Sequence, residues 1–259
     1  MYQNLIYEIQ EGICRITLNR PQVYNALSSD LIQELTRAIG EAEKNEKVRV
    51  VILTGAGEKA FSSGADLKAG MGEMSSLGES LRKNYNPMIQ AIRNLPKPVI
   101  CRLNGIAAGA GCSLALACDL IVASENASMS QIFVNIGLIM DAGSSFFLPR
   151  LIGSQKAFEL CSTGRMVGSE ECLELGLVSK VVTLAELDDA VNQLANHYAN
   201  APTFAIGLMK KVLNASQHST LDQMLEMEAA NQDIAGKSAD FIEGVSSFLQ
   251  KRKPDFSGK

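Results

Sequence analysis

The run VRVVILTGAG, residues 48–57, most constrains the architecture, because Val50, Val51, Ile52 and Leu53 are apolar at successive positions and the run ends at Gly55 and Gly57. Side chains of a strand alternate between faces, so an unbroken apolar run reads as a buried strand. Ahead of it, GICRITLNR sets Ile13, Arg15 and Thr17 against Cys14, Ile16 and Leu18, the period-two pattern of a half-buried strand, with a turn expected at Pro21. Between the two, SSDLIQELTRAIGEAEKN puts Leu31, Ile32, Leu35, Ala38, Ile39 and Ala42 on one helical face, with Ser28 or Ser29 as N-cap and Asp30 in the first turn. Strand, helix and strand open an α/β layer fold.

The pattern recurs. A helix is predicted over 77–95, KPVICRLNG reads as a strand, GCSLALACD as a short apolar helix and DLIVASENA as a further strand, which points to a parallel sheet covered on both faces. From about residue 184 the character changes, since 184–198, 203–216, 220–234 and 239–250 all read as helices with no strand between them. The expected division is a core over 1–200 and a helical C-terminal region over 201–259, joined near Asn200-Ala201-Pro202.

A chain of 259 residues, 46% hydrophobic, is long enough to bury a substantial core. Its net charge of −4 gives no general attraction to nucleic acid or to an anionic membrane, so a polyanionic ligand has to be held by a local group of Lys and Arg. The start, MYQNLIYEIQEG, lacks the basic region and apolar core of a secretory signal, and no apolar run approaches a bilayer span, so a cytoplasmic protein is expected. The six cysteines show no C-x-x-C spacing and read as reduced, buried thiols, and the two histidines, His197 and His218, lie far from any ligand cluster, so no metal site is expected.

Three places could carry chemistry. FSSGADLKAG (61–70) and NGIAAGAGCSLALA (104–117) are small-residue turns at predicted strand-to-helix junctions, where main-chain N–H groups point outward unsatisfied. Two such donors aimed at one oxygen make an oxyanion hole, although small residues also serve close strand–helix packing. Neither turn has the spacing of a dinucleotide or P-loop site. The third place is Asp141 in GLIMDAGSSFFLPRLIG (137–153), a lone carboxylate among apolar residues. An apolar wall raises a carboxyl pKa toward the range of a general base, while a cap of the short helix expected in AGSSFFLPR is the plainer role. Cys112, in an apolar setting without a nearby His, reads as a structural thiol.

With these features in view, the chain resembles the crotonase (enoyl-CoA hydratase/isomerase) superfamily over nearly its whole length. The resemblance rests on LNRPQVYNAL (18–27), VVILTGAGEKAFSSGADL (50–67), KPVICRLNGIAAGAGCSLALACDLIVAS (97–124), NIGLIMDAGSSFFLPRLIG (135–153) and FLQKRKPDF (248–256), five motifs in family order. It implies a spiral of β-β-α units with a helical C-terminal region that mediates trimer formation, as a homotrimer or homohexamer. The implied chemistry is stabilisation of a coenzyme A thioester enolate by two main-chain N–H groups, which fall here on Ala65 and Ala110, with the thioester as substrate and no permanently bound cofactor. The resemblance also places the adenine against Ala65-Asp66-Leu67 and brings Phe248 and Lys251 of a neighbouring subunit to the nucleotide. Phe133 and Phe146 are candidate acyl-pocket residues, and the loop 69–80 is a candidate adaptable wall.

The departures narrow the reaction. Hydratases of the superfamily carry two glutamates, which would fall at Ser113 and Phe133. Asp141 matches the catalytic aspartate of other branches; the dehalogenases among them add a Trp, absent here, and the dienoyl-CoA isomerases add a glutamate at the position of Phe133. GLIMDAGSSFFLPR is most similar to the phenylacetate-pathway ring-epoxide-CoA isomerases. The expectation is an acyl-CoA isomerase with Asp141 as single proton carrier, acting on a ring epoxide or a 3-enoyl ester in phenylacetate or fatty acid metabolism. An enoyl-CoA hydratase and a non-catalytic acyl-CoA-binding protein are the alternatives.

Overall fold

The computed structural model describes residues 2–68 and 76–259. The strands are β1 (Leu5–Gln10), β2 (Ile13–Leu18), β3 (Val50–Gly55), β4 (Ala60–Ser62), β5 (Val99–Leu103), β6 (Ile106–Ala108), β7 (Leu120–Ser124), β8 (Ser128–Ser130), β9 (Val167–Gly168) and β10 (Lys180–Val182). The helices are α1 (Ser29–Lys44), α2 (Leu77–Ser80), α3 (Asn86–Asn94), α4 (Ala110–Leu116), α5 (Ser144–Thr163), α6 (Ser169–Glu174), α7 (Leu187–Ala199), α8 (Thr203–Ser216), α9 (Leu221–Ala235) and α10 (Ala239–Leu249).

Two sheets share the chain in alternation. One has the order β1-β2-β3-β5-β7-β10, parallel except for the β1/β2 hairpin, and the other the order β4-β6-β8-β9. Thus β3 and β4, β5 and β6, and β7 and β8 each send one strand to the large sheet and the next to the small one before a helix follows. That repeated step is a β-β-α spiral.

β3 shows why its sequence is apolar throughout. Val51 and Leu53 enter the main core, while Val50 and Ile52 face a second cluster with Ile100 and Val122 that is closed by Leu187, Val191 and Ala195 of α7. The strand is therefore covered on both sides, as the unbroken run requires. Helix α1 buries the six residues expected from its spacing, and Ser28 caps it by accepting a hydrogen bond from the Leu31 N–H. The helix predicted over 77–95 is α2 and α3 joined by a π-helical turn, Leu81–Tyr85. Of the loop 69–80, residues 69–75 lie outside the described residues, and the remainder opens α2.

Two buried asparagines fix the turn that leads into β4. Asn104 accepts from the Gly55 N–H (3.2 Å) and the Thr54 hydroxyl (3.3 Å) and donates to the carbonyls of Gly57 (2.7 Å) and Ala60 (3.2 Å). Asn25 donates to the same Ala60 carbonyl (2.9 Å) and to that of Ala56 (3.0 Å). Asn104→Ala would take the Asn104 acceptor from the buried Gly55 N–H and the donor from the Gly57 carbonyl, while Ala60 keeps Asn25, so it is expected to cost about 2 kcal/mol of stability in a urea titration.

The six thiols are free, and five of them are buried. Among the described residues no helix is long and apolar enough to cross a membrane.

Candidate active site

The site is assembled where β4, the start of α4 and the turn before α5 meet. After β4, Leu27 donates its N–H to the Gly64 carbonyl (2.7 Å) and accepts from the Asp66 N–H (3.1 Å), forming a parallel bridge opposite Ala65. Successive amides of an extended segment point to opposite sides, so the Ala65 N–H faces away from Leu27. The sequence reading set this turn at a helix start; instead Ala65 is held in extended backbone, and the next described helix is α2 at Leu77. The outward N–H arises from strand alternation rather than from a helix end.

Ala110 is the first residue of α4, where N–H groups have no partner within the helix. Gly64, in left-handed backbone (φ +90°), brings the two alanines together: a Cβ there would lie 2.6 Å from the Ala108 carbonyl oxygen and 3.3 Å from the Ala110 nitrogen. Gly111 is pressed as closely on Ser62, where a Cβ would lie 2.4 Å from the Ser62 carbonyl oxygen. Only glycine permits main chain to approach main chain at this distance.

Asp141 follows a 3-10 segment (Ile132–Ile136) and a left-handed Gly137. It does not cap α5. Gly143 occupies the N-cap position without a side-chain bond, and the Asp141 main-chain carbonyl accepts from the Ser144 N–H (3.1 Å). Two consecutive left-handed residues, Ala142 (φ +48°) and Gly143 (φ +87°), turn the chain into the helix, so the carboxyl is not positioned over the helix amides. Its Oδ1 is buried and has no hydrogen-bond partner among the described residues. Desolvation raises its pKa from the ordinary carboxylate value to about 6.

In the fold this carboxyl keeps its proton up to about pH 6, whereas in the unfolded chain it releases it near pH 4. Between those values the folded state binds more proton than the unfolded one, so stability falls as pH rises from about 4 to about 6 and stays lower above. Asp141→Asn removes the penalty. The variant is expected to exceed the parent by about 1–2 kcal/mol at pH 8, allowing for solvent at the half-buried group, and to match it at pH 4 in denaturant titrations.

Aromatic side chains wall the turn. Phe133 is buried, and its ring approaches Gly109, the residue before Ala110. Phe147 is buried against Gly143, whereas Phe146 is partly exposed, edge-on to Phe147 and under the Arg150 guanidinium. Tyr85, in the π-helical turn, has its phenol pKa raised by burial and then by the charges of Asp141 and Asp66. Nothing in RKNYNP separates a site tyrosine from a core one, so Tyr85 is not legible as a site residue in the sequence.

Asp66 pairs with Arg20 (2.8 Å), which also donates to the Ala26 carbonyl (2.6 Å), while the Leu67 side chain is exposed. Phe248 and Lys251 lie exposed at the end of α10. Phe248 borders an apolar hollow with Phe241 and Phe256. Cys112 is buried beside the site with its thiol pKa pushed up to about 12, which holds it as an unreactive thiol.

A two-sheet β-β-α spiral with helices at its C-terminal end is the crotonase fold; an enoyl-CoA hydratase from Bacillus anthracis superposes with a TM-score of 0.94 at 35% identity, over 99% of this chain and 100% of that one. The chain belongs to the enoyl-CoA hydratase/isomerase family, which matches residues 8–259. A 1,2-epoxyphenylacetyl-CoA isomerase of Escherichia coli is 39% identical over the full length of both chains. A protein named probable enoyl-CoA hydratase from Rhodobacter capsulatus is 41% identical over 100% of this chain and 99% of its own. The family acts on coenzyme A thioesters, and this chain is an enzyme of that family.

Proposed function

We propose that the protein is an acyl-CoA isomerase that works through a thioester enolate with Asp141 as its single proton carrier. The observation that carries the reading is the buried, unpartnered Oδ1 of Asp141 with a pKa near 6, with no acid at Ser113 or Phe133. Similarity to the 1,2-epoxyphenylacetyl-CoA isomerase supports the same class of reaction.

The thioester oxygen accepts from the N–H groups of Ala65 and Ala110, which stabilise the negative charge that develops there. Asp141 takes a proton from the α-carbon, and the electron pair of that C–H bond passes into the enolate. For a 3-enoyl ester the proton returns at C4, the double bond moves from C3–C4 to C2–C3, and Asp141 is regenerated. A base with a pKa near 6 is ionised at neutral pH yet binds the proton tightly enough to carry it. Phe133 and Phe146 line the acyl side. The backbone of Ala65, Asp66 and Leu67 receives the adenine, with Phe248 and Lys251 of a neighbouring subunit on the nucleotide.

The exposed apolar side chains Met209, Leu213, Leu225, Phe241 and Ile242 on α8–α10 support a homotrimer or homohexamer, and the six free thiols support a cytoplasmic setting. A core over 1–200 and a trimerisation region over 201–259 are part of the same reading. The second reading, an enoyl-CoA hydratase, is favoured by the likeness to the Rhodobacter and Bacillus proteins. Chromatography of products from a ring-epoxide thioester, a 3-enoyl-CoA and a 2-enoyl-CoA separates the two. Isomerisation of either of the first two is the expected result, and hydration of the 2-enoyl ester as the main reaction overturns it.

A further inference from the structure

We infer that Ser113 and Ser144 are positioning residues that lock Asp141 to the helix carrying the Ala110 amide. Both hydroxyls are fully buried, and they lie 2.6 Å apart. Ser113 stands one turn along α4 from Ala110, and its Oγ is 3.0 Å from the Asp141 main-chain oxygen and 3.3 Å from that of Gly109. A serine hydroxyl has one proton to give and two lone pairs to accept with. A consistent chain has Ser144 donating to Ser113 and Ser113 donating to the Asp141 carbonyl. It ties the first residue of α5, the Asp141 turn and the first turn of α4 into one frame.

The backbone beside it shows the load this frame carries. Ala142 sits at φ +48°, a region that disfavours a residue with a Cβ, and such a conformation persists only where its surroundings over-determine it. The hydroxyl pair and the Ser144 N–H bond to the Asp141 carbonyl are the bonds that do so. The carboxyl itself has no bond through Oδ1, so its aim is set by the main chain on which it stands. Position 113 thus contributes geometry to this site rather than a proton.

The inference rests on the reading of Asp141 as the proton carrier, and the test separates the two. Ser113→Ala and Ser144→Ala remove the hydroxyls with little change in volume, and Ala142→Gly relieves the backbone while loosening the same turn. For each, kcat and KM with a 3-enoyl-CoA and the pH midpoint of kcat are measured. Tyr85, the titratable group that feels the Asp141 charge, stays protonated throughout the range because burial raises its pKa. Each variant is expected to lose about tenfold or more in kcat with KM nearly unchanged, since small misplacement of a reacting group is enough for such a loss. The midpoint is expected to fall as the freed carboxyl reaches water. Should the serine variants fail to fold, Ala142→Gly decides. Unchanged kcat and midpoint in the folded variants overturn the positioning role while leaving the proton carrier intact, provided Asp141→Asn is inactive; an active Asp141→Asn removes the reading beneath it.

Discussion

Asp141→Asn is expected to lower turnover of the isomerised thioester by at least about two orders of magnitude while KM changes little. The substitution keeps the shape of the side chain, and the turn is held by the Asp141 main-chain oxygen, which the variant retains. What it loses is a group able to accept a proton. In the proposed reading, binding draws on the Ala65 and Ala110 amides and on the nucleotide contacts, none of which involves the carboxyl, so the loss falls on kcat. Since removing a desolvated charge stabilises the fold above pH 6, the inactive variant should also be the more stable one at pH 8. Steady-state kinetics beside a denaturant titration read both. A loss of activity accompanied by a loss of stability at pH 8 would point to a structural role for Asp141.

Gly64→Ala is expected to be comparably damaging, by about a hundred- to a thousand-fold in kcat, through the main chain alone. The added Cβ would fall 2.6 Å from the Ala108 carbonyl oxygen, and φ of +90° is a conformation alanine scarcely adopts. Relief requires the Ala65 segment and the start of α4 to part, which would draw apart the two N–H groups of the proposed oxyanion hole. The carboxyl of Asp141 stays in place, which makes this variant the complement of Asp141→Asn: its base is intact and its enolate is unsupported. Kinetics over the pH range should show the midpoint near 6 retained in whatever activity survives, with circular dichroism confirming the fold.

The elements legible in the sequence are those whose burial leaves a long pattern. Helices α1 and α8 and strands β2 and β3 lie where spacing sets them, because one face or both faces of each are packed. Strands of two or three residues, such as β4, β6, β8 and β9, are too short to show a period, yet they form the sheet on which the two turns stand. The short helix expected in AGSSFFLPR is the start of a longer α5, interrupted at Gly153, whose non-helical backbone joins two helical pieces. At the site, the apolar flanks of Asp141 marked it correctly as a desolvated carboxyl, but its role as a cap was equally written in the sequence. Only the left-handed pair Ala142 and Gly143 decides against the cap, and backbone handedness at an alanine leaves no trace in composition. Ser113 was legible as a missing acid; its bonds to Asp141 and Ser144, which span 28 and 31 residues, were not.

The most direct test of the account is mass spectrometry of a 3-enoyl-CoA incubated in deuterium oxide with the parent protein and with Asp141→Asn. The parent is expected to move the double bond and to deliver at C4 the deuterium that exchanges onto the Asp141 carboxyl, without adding the mass of water, and the variant is expected to leave the ester unchanged. Addition of water as the main product, or exchange by Asp141→Asn at the parent's rate, would contradict it.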